Sequence, residues 1–96
     1  MMFSITRGEG GEVVLGGRFD ASRVDEANVV FDQLEATTRV NFAPLEYISS
    51  AGLGVLLKTQ KRLAVEGQAL ILYNMNKLIR DVFRIARFDI IFTIEE

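Results

Sequence analysis

The chain has 96 residues, enough for one compact domain, and its 49% hydrophobic content can supply one core. It carries 11 basic and 13 acidic residues, a net charge of −2, without a dense block of Lys and Arg, so nucleic acid is not an expected partner. Because Cys and His are both absent, the sequence excludes disulfides, thiolate metal sites and Ser-His or Cys-His catalysis.

The first residues do not resemble a targeting segment. The stretch from Met1 to Arg7 alternates like a strand and lacks a basic leader with a long apolar run. Elsewhere the apolar runs span a few residues each, far short of the ~20 that cross a bilayer. We therefore expect a cytoplasmic protein without membrane insertion.

The N-terminal third predicts a hairpin followed by a helix. Apolar and polar residues alternate from Phe3 to Thr6, a Gly-rich turn follows at Gly8–Gly11, and Val13–Leu15 is a second apolar run. The segment Ser22–Asp25 then has a capping-box pattern, with apolar residues at helical spacing after it. The pattern predicts a first helix over about residues 23–35.

The middle of the chain predicts a strand and a second helix. Thr37–Phe42 is β-like and ends before a proline, which lacks an amide donor and restricts its neighbour. Leu45–Ile48 then leads into a helical run that begins at Ser49 with hydroxyls and glycines. This helix should continue to Val65, with Gly67 as its C-cap.

The last third predicts a strand, a helix and a final strand. Ala69–Tyr73 is a continuous apolar run, as expected of a strand covered on both faces in the middle of a sheet. Asn74 or Asn76 can cap a third helix, and Ile90–Ile94 supplies the last strand. The order ββαβαβαβ predicts an α/β fold in which a mixed, mostly parallel sheet with an antiparallel edge hairpin packs against helices.

Polar residues follow the predicted strands at one edge of this sheet. Asp20 follows the second strand, Asn41 the third, and Ser49 and Ser50 begin the second helix. Functional surfaces of open α/β sheets gather where strands end and helices begin, so we expect these residues to share an edge. Taken alone, Asp20 is more simply explained as a turn or helix-entry residue.

Two hydroxyls stand where one suffices to cap a helix, at Ser49 and Ser50. Gly52 and Gly54 each cost the first turns about 1 kcal/mol relative to alanine, so close approach of another backbone or protein surface is a plausible reason for them. A phosphate on the spare hydroxyl would meet free amides and the positive end of the helix dipole, adding roughly −1.5 to −2 charges. The alternative is that both serines are ordinary caps, and the periodicity does not decide between the two.

Three segments carry a resemblance to a known family. Ser49–Gly54, Ser-Ser-Ala-Gly-Leu-Gly, resembles the Asp-Ser-(Ser/Ala)-Gly-Leu-Gly signature of anti-sigma factor antagonists, stand-alone members of the sulfate transporter and anti-sigma antagonist (STAS) family. Gly17–Asp20 resembles the family's Gly-x-(Leu/Ile/Phe)-Asp turn, and Glu66–Leu72 its Gly-x-x-Leu strand. The likeness covers nearly all of the chain and implies a single STAS-like domain over residues 1–96. Relatives commonly carry another helix after the last strand, and we expect that C-terminal helix to be missing here.

The resemblance also implies a function. Ser50 falls at the family's phosphorylated serine, while Ser49 and Asn41 stand where the family usually has Asp. The implied protein is an anti-sigma factor antagonist that binds an anti-sigma factor with serine kinase activity, is released by phosphorylation, and is restored by a serine phosphatase. The implied partner-binding residues surround the phosphorylated serine: Asp20, Ala21, Ser22, Asn41, Ser49, Ala51, Gly52, Leu53 and Gly54.

Two other functions stay open. A serine hydrolase would need an unusual lysine base, and no Gly-rich phosphate loop is present, so we expect no catalytic residue, cofactor or metal site. A constitutive STAS scaffold in a lipid-transport or stress-sensing complex would keep the fold without the switch, and the absence of Asp before Ser50 favours it.

The second and third helices supply further surface residues. Some of four apolar residues could form part of a docking face, although a helix on a sheet must bury others: Tyr47, Ile48, Leu53 and Leu57. The basic residues of the third helix are interpreted as a solvated face without a role in a site: Lys77, Arg80, Arg84 and Arg87.

Overall fold

The computed structural model describes residues 2–95, which form one sheet and three α-helices. The strands are β1 (Ser4–Arg7), β2 (Val13–Phe19), β3 (Thr38–Asn41), β4 (Leu45–Ile48), β5 (Leu70–Tyr73) and β6 (Thr93–Ile94). The helices are α1 (Val24–Phe31), α2 (Ser50–Ala64) and α3 (Lys77–Ile85). Short 3₁₀ turns at Ala21–Arg23 and Phe88–Ile90 precede α1 and β6.

The sheet is mixed, with the strand order β1-β2-β3-β5-β6. β1 and β2 pair antiparallel as a hairpin, whereas β2 with β3, β3 with β5, and β5 with β6 pair in parallel. This confirms the predicted α/β fold with a mostly parallel sheet and an antiparallel edge hairpin.

One strand, β4, is absent from the predicted order. It pairs in parallel with the second half of β2, where Phe19 lies opposite Ile48, while β3 pairs with the first half, where Val13 lies opposite Val40. β3 and β4 therefore follow one another along β2, and the observed order is ββαββαβαβ.

Gly17 marks the point where β2 changes partner. Its φ is +74°, the register shifts there, and an added Cβ would lie 1.9 Å from the carbonyl oxygen of Met2. A side chain would be strained at such a backbone conformation and would also collide with the neighbouring chain. The predicted turn at Gly17–Asp20 is thus mostly strand, since β2 continues to Phe19.

The core lies on one face of the sheet. Buried and more exposed residues alternate along β3 and β5, as expected when helices cover only one face. In β5, Leu70 and Leu72 are fully buried while Ile71 and Tyr73 are half-buried. The prediction that this strand is covered on both faces is therefore wrong, although its interior place in the sheet is confirmed.

α1 ends at Phe31, one turn before the predicted end at residue 35. The guanidinium of Arg62, on α2, donates hydrogen bonds of 2.8 Å to the carbonyl oxygens of Phe31 and Leu34. These bonds satisfy carbonyls that the end of a helix leaves free, so the chain can turn here although its apolar spacing continues.

The predicted caps of α2 and α3 are confirmed in position. Gly67 has a φ of +71°, and its amide donates to the carbonyl of Ala64, which closes α2. Asn76 rather than Asn74 caps α3, because its side chain accepts the amide of Ile79 at 2.9 Å. Within residues 2–95, no helix has the length and apolar character needed to cross a membrane.

The last strand is shorter than the predicted Ile90–Ile94. Arg87 has a left-handed backbone with a φ of 65°, and Phe88–Ile90 forms a 3₁₀ turn. The amide of Phe92 donates to the carbonyl of Phe88 inside this turn, so only Thr93–Ile94 pairs with β5.

Candidate functional site

The first turn of α2 is anchored to the end of β2. The amide of Ser49 donates a 2.9 Å hydrogen bond to the carbonyl of Phe19. Ser49 has an extended backbone, its Oγ accepts the amide of Gly52 at 3.3 Å, and its carbonyl accepts the amide of Leu53 at 2.9 Å. Ser49 is therefore the N-cap of α2.

Ser50 is the first helical residue of α2, and its side chain is exposed. Because Ser49 already caps the helix, the hydroxyl of Ser50 is not needed for capping. It is thus the spare hydroxyl of the pair, at the end of α2 where first-turn amides and the helix dipole favour negative charge.

The two glycines of this turn have different surroundings. Gly52 is buried, and an added Cβ would lie 2.8 Å from Cγ1 of Ile48 and 3.0 Å from the carbonyl oxygen of Phe19. The predicted close approach of another backbone is confirmed at this position, and because Gly52 is buried by that contact, the prediction that it offers partner-binding surface is wrong. Gly54 is exposed, and an added Cβ would meet nothing within 4 Å, so it leaves a flat surface one turn beyond Ser50.

Asp20 lies at the end of β2 and caps the 3₁₀ turn that follows. Its Oδ1 accepts the Ser22 hydroxyl at 2.6 Å and the Ser22 amide at 3.0 Å. The hydrogen bond from the Ser22 hydroxyl, more than any other contact, lowers the pKa of Asp20, so this edge carries a carboxylate. The predicted capping box of Ser22–Asp25 is wrong, since Arg23 occupies the N-cap of α1 without a side-chain cap bond.

The structure brings most of the predicted site residues to one edge. Phe19, whose carbonyl holds Ser49, is followed directly by Asp20 and by the exposed Ala21 and Ser22. Ala51 is half-buried beside Ser50. The turn that contains Ala21 and Ser22 thus contacts α2, whose first turn carries Ser50.

Asn41 is an exception. It pairs with Val14, which precedes Phe19 by five residues along β2, a separation of about 16 Å between Val14 and Phe19 at about 3.3 Å per residue. Its Oδ1 accepts the amide of Ala43 and a side-chain N–H of Asn74. The prediction that Asn41 shares the edge with Ser50 is wrong because β4 intervenes between β3 and α2.

The apolar residues near Ser50 separate into core and surface. Leu53 is 9% exposed and Ile48 6%, so both belong to the core, and the prediction that Leu53 offers partner-binding surface is corrected. Leu57 is half-buried. Tyr47 remains 37% exposed, with the guanidinium of Arg18 4.2 Å above its ring centroid.

A groove between β4 and α3 was not predicted because the sequence does not indicate β4. It has a volume of about 140 Å³ and almost entirely apolar walls. We call it the β4–α3 groove, and its lining residues are Glu46, Tyr47, Ile48, Leu78, Ile79 and Val82. A sequence signal did exist, because Leu78, Val82 and Ile85 recur at helical spacing beside the buried pair of Ile79 and Phe83.

Larger clefts lie away from Ser50. One of about 680 Å³ lies near the C-terminal end of α2, at Val65 and Glu66, and one of about 450 Å³ lies beside the Gly-rich hairpin turn. Within residues 2–95, no three Asp or Glu side chains are grouped to hold a metal ion. Ser50 lines neither of these two clefts.

Comparisons with known proteins identify the fold. A family model described as MlaB, STAS domain, matches residues 4–94. A search of curated proteins finds no match. The anti-sigma factor antagonist SpoIIAA in its unphosphorylated form is 20% identical, with a TM-score of 0.72 over 99% of this chain and 88% of that chain.

Two further solved structures are similar. SpoIIAA of Bacillus, described as a cell fate determinant and solved in its phosphorylated form, is 20% identical with a TM-score of 0.70 over 99% of this chain and 92% of that chain. A candidate anti-sigma factor antagonist from Thermotoga maritima is 20% identical with a TM-score of 0.80 over 99% of this chain and 86% of that chain. Since the family model spans nearly the whole sequence, this chain belongs to the STAS-domain family.

Proposed function

We propose that this STAS domain is a cytoplasmic anti-sigma factor antagonist that acts by partner switching. Unphosphorylated, it binds an anti-sigma factor with serine kinase activity, and phosphorylation at Ser50 ends that binding. The observation that carries the proposal is the exposed hydroxyl of Ser50 on the first residue of α2, left spare because Ser49 caps the helix.

A phosphate at Ser50 would act through charge rather than refolding. It would meet the positive end of α2 and first-turn amides, so the free domain tolerates it. In a docked complex the same dianion would have to lose its water, and an acidic partner group would repel it. The similarity of this fold to SpoIIAA in both its unphosphorylated and its phosphorylated form supports a switch that keeps the backbone unchanged.

The surface around Ser50 suits a protein partner. Asp20 adds a negative charge near Ser50. Gly54, which has no side chain, lets a partner backbone approach the first two turns of α2. We further propose that the partner is the kinase for Ser50 and that a serine phosphatase reverses the reaction. The chain itself is a binding protein in this scheme and performs no catalysis.

The first experiment measures intact mass after incubation with ATP and the serine kinase encoded nearest to this protein. We expect the gain of one phosphate in the wild type and in Ser49→Ala, and no gain in Ser50→Ala. Ser49→Ala is the matched control because it removes the neighbouring hydroxyl. Phosphate on Ser49 or on another residue would contradict the proposal.

The second experiment measures binding of the same kinase by titration calorimetry. Ser50→Ala should bind like the wild type, because it removes the hydroxyl without adding charge. Ser50→Asp should bind much more weakly, since a carboxylate partly imitates the phosphate. Equal affinities for all three proteins would rule out the switch.

A constitutive scaffold in a lipid-transport or stress-sensing complex is the second candidate. The observation that favours it is Ser49, which leaves the start of α2 without the family's carboxylate. A scaffold would form a stable complex that Ser50→Asp leaves intact, and kinase with ATP would add no phosphate. The two experiments above therefore separate the candidates.

A further inference from the structure

We propose that Arg18 is an anchor for the partner and binds a carboxylate of an Asp or Glu side chain on that protein. The inference rests on the proposed function, because it places Arg18 in the same interface as Ser50. It extends that function by naming a residue that selects the partner and the chemical group that this residue binds.

Arg18 is exposed, and its guanidinium stacks on an aromatic ring. Its Cζ lies 4.2 Å from the ring centroid of Tyr47. The two residues pair in register between β2 and β4, and the residues that follow them, Phe19 and Ile48, are buried. Since side chains alternate between the two faces of a strand, Arg18 and Tyr47 project from the sheet on the side away from the core. We call them the Arg18–Tyr47 pair.

Within residues 2–95, the guanidinium of Arg18 forms no ion pair with a carboxylate. Two acidic residues flank the Arg18–Tyr47 pair in the chain, Asp20 and Glu46. Asp20 instead accepts the hydroxyl and the amide of Ser22 on its Oδ1. A guanidinium presents its N–H donors in a planar fork that fits a carboxylate. The fork of Arg18 is therefore open to a carboxylate from another protein.

A second Arg–Tyr stack in the same sheet shows what Arg18 lacks. Arg39 lies over Tyr73, with its Cζ 4.0 Å from the ring centroid. The guanidinium of Arg39 also donates a hydrogen bond to the carboxylate of Glu95. The stack at Arg39 is thus completed by a carboxylate of the same chain, whereas the stack at Arg18 is not. This difference indicates a carboxylate as the group that a partner supplies to Arg18.

The stack on Tyr47 prepares Arg18 for binding. A long side chain loses conformational freedom when an interface immobilises it, and this loss is smaller when the side chain is already restricted. Arg and Tyr are also the residue types, together with Trp, in which the binding energy of protein interfaces concentrates. A guanidinium and a carboxylate can form two parallel hydrogen bonds, which fix the orientation of the partner. The Arg18–Tyr47 pair therefore suits an anchor.

The Arg18–Tyr47 pair lies beside the start of α2. Arg18 precedes Phe19, whose carbonyl accepts the amide of Ser49 at 2.9 Å. Tyr47 precedes Ser50 by three residues, so their Cα atoms are at most about 11 Å apart. A partner that covers the ends of β2 and β4 can therefore contact both Arg18 and Ser50.

The carboxylate bound by Arg18 would also supply the acidic group that the switch requires. The charge of Arg18 already acts at this edge, because it adds to the larger effect of the Ser22 hydrogen bond in lowering the pKa of Asp20. A phosphate at Ser50 would add negative charge to the edge on which the partner's carboxylate lies. Like charges at an interface repel, so phosphorylation would weaken the complex.

A phosphate on Ser50 of the same chain is the other anion that Arg18 could bind. Arg18 projects from the sheet on the side away from the core, whereas α2 packs on the core side through Leu53 and Leu56. A partner group therefore reaches the guanidinium more directly than a phosphate at the start of α2 does. The tests below include this phosphate as an outcome.

The main test measures the affinity of the full chain for the kinase encoded nearest to it by titration calorimetry. Arg18→Glu places a like charge against the partner's carboxylate, and we expect binding to weaken by at least about tenfold. Arg18→Lys keeps the charge without the planar fork and should recover only part of the affinity. Tyr47→Leu removes the ring under Arg18 and should weaken binding by a smaller factor than Arg18→Glu.

The dependence of affinity on salt separates a charge pair from a general loss of packing. From about 0.1 M to about 1 M salt the Debye length falls from ~10 to ~3 Å, so the affinity of the wild type should fall more than that of Arg18→Gln. Arg39→Gln is the matched control, because it removes the same charge from the other stack. Arg39 precedes Val40, which pairs with Val13, five residues before Arg18 along β2. Arg39→Gln should keep the affinity and the salt dependence of the wild type.

The outcomes separate this inference from the proposed function. Wild-type affinity in Arg18→Glu, with binding lost in Ser50→Asp, would overturn the anchor and leave the switch intact. Weak binding by Arg18→Glu, with wild-type affinity in Ser50→Asp, would support the anchor and contradict the switch. Equal salt dependence in the wild type and Arg18→Gln, or equal losses in Arg18→Gln and Arg39→Gln, would overturn the anchor. Absence of binding by the wild type would overturn both.

Phosphorus NMR of the chain phosphorylated at Ser50 addresses the other anion. We expect the phosphate to titrate with the same pKa in the wild type and in Arg18→Gln. A lower phosphate pKa in the wild type, together with normal kinase binding by unphosphorylated Arg18→Gln, would assign Arg18 to the phosphate and overturn the proposal.

Discussion

Gly52 lies so close to Phe19 that an added Cβ would be 3.0 Å from the Phe19 carbonyl oxygen and 3.1 Å from its ring carbon Cγ. The same carbonyl accepts the amide of Ser49. The first turn of α2 thus packs directly against the end of β2. This contact fixes the position of the exposed Ser50 relative to Asp20, the residue after Phe19. A side chain at position 52 would move the helix and the serine together.

We therefore expect Gly52→Ala to destabilise the fold by about 1–3 kcal/mol, the usual cost of overpacking a core. Alanine has the higher helix propensity, so steric conflict alone can account for a loss. The matched control is Gly54→Ala, where the new Cβ meets nothing within 4 Å and should stabilise α2 by ~1 kcal/mol. Urea unfolding measures both, and equal stability of the two variants would contradict the packing at Gly52.

The two adjacent serines should differ in their effect on stability. Ser49→Ala removes the N-cap and should lower the free energy of unfolding by about 1 kcal/mol, while Ser50→Ala should change it by less than about 0.5 kcal/mol. Ser49→Asp keeps an acceptor for the Gly52 amide and should remain as stable as the wild type. Thermal unfolding checks these values. A greater loss in Ser50→Ala than in Ser49→Ala would reverse the assignment of the cap.

The helix starts near the site could be read from the sequence because they depend on local chemistry. A serine before an apolar run and a glycine after it mark both ends of α2, and the structure confirms these caps at Ser49 and Gly67. The choice between Ser49 and Ser50 was not predictable from periodicity. It depends on the hydrogen bond to Phe19, a residue 30 positions earlier in the chain.

The errors arise where distant contacts override local pattern. β4 has its buried residues at both ends and exposed ones between, without the alternation of a half-buried strand, and it exists because β2 supplies its hydrogen bonds. This missed strand accounts for two further errors. It moves Asn41 away from Ser50, and it conceals the groove that β4 forms with α3.

Arg62 should stabilise the fold more than its place on the surface of α2 suggests. Its guanidinium donates to the carbonyls of Phe31 and Leu34, at the end of α1. Arg62→Ala should cost about 2 kcal/mol, as expected for hydrogen bonds from a charged donor. Arg62→Lys should recover only part of this loss, because an ammonium group lacks the planar fork. Lys61→Ala is the exposed control. Urea unfolding measures the free energy of unfolding of the three variants, and equal values for all three would contradict this role.

Ser22 should control the ionisation of Asp20. The hydrogen bond from the Ser22 hydroxyl is the largest cause of the lowered pKa of Asp20. Ser22→Ala should therefore move that pKa up towards its ordinary value of 3.8. A lowered pKa in the folded state stabilises the protein above pH 3.8, and this contribution is lost as the pH falls through the folded-state pKa. In Ser22→Ala, protonation of Asp20 in acid should therefore lower the free energy of unfolding by less than it does in the wild type.

Carboxyl carbon shifts followed by NMR between neutral and acidic pH measure the change in the Asp20 pKa directly. Asp81, whose pKa is lowered chiefly by its hydrogen bond from Lys77, provides an internal control that Ser22→Ala should leave unchanged. The same titration curve for Asp20 with and without the hydroxyl would show that Ser22 does not hold this carboxylate at the edge of the Ser50 surface.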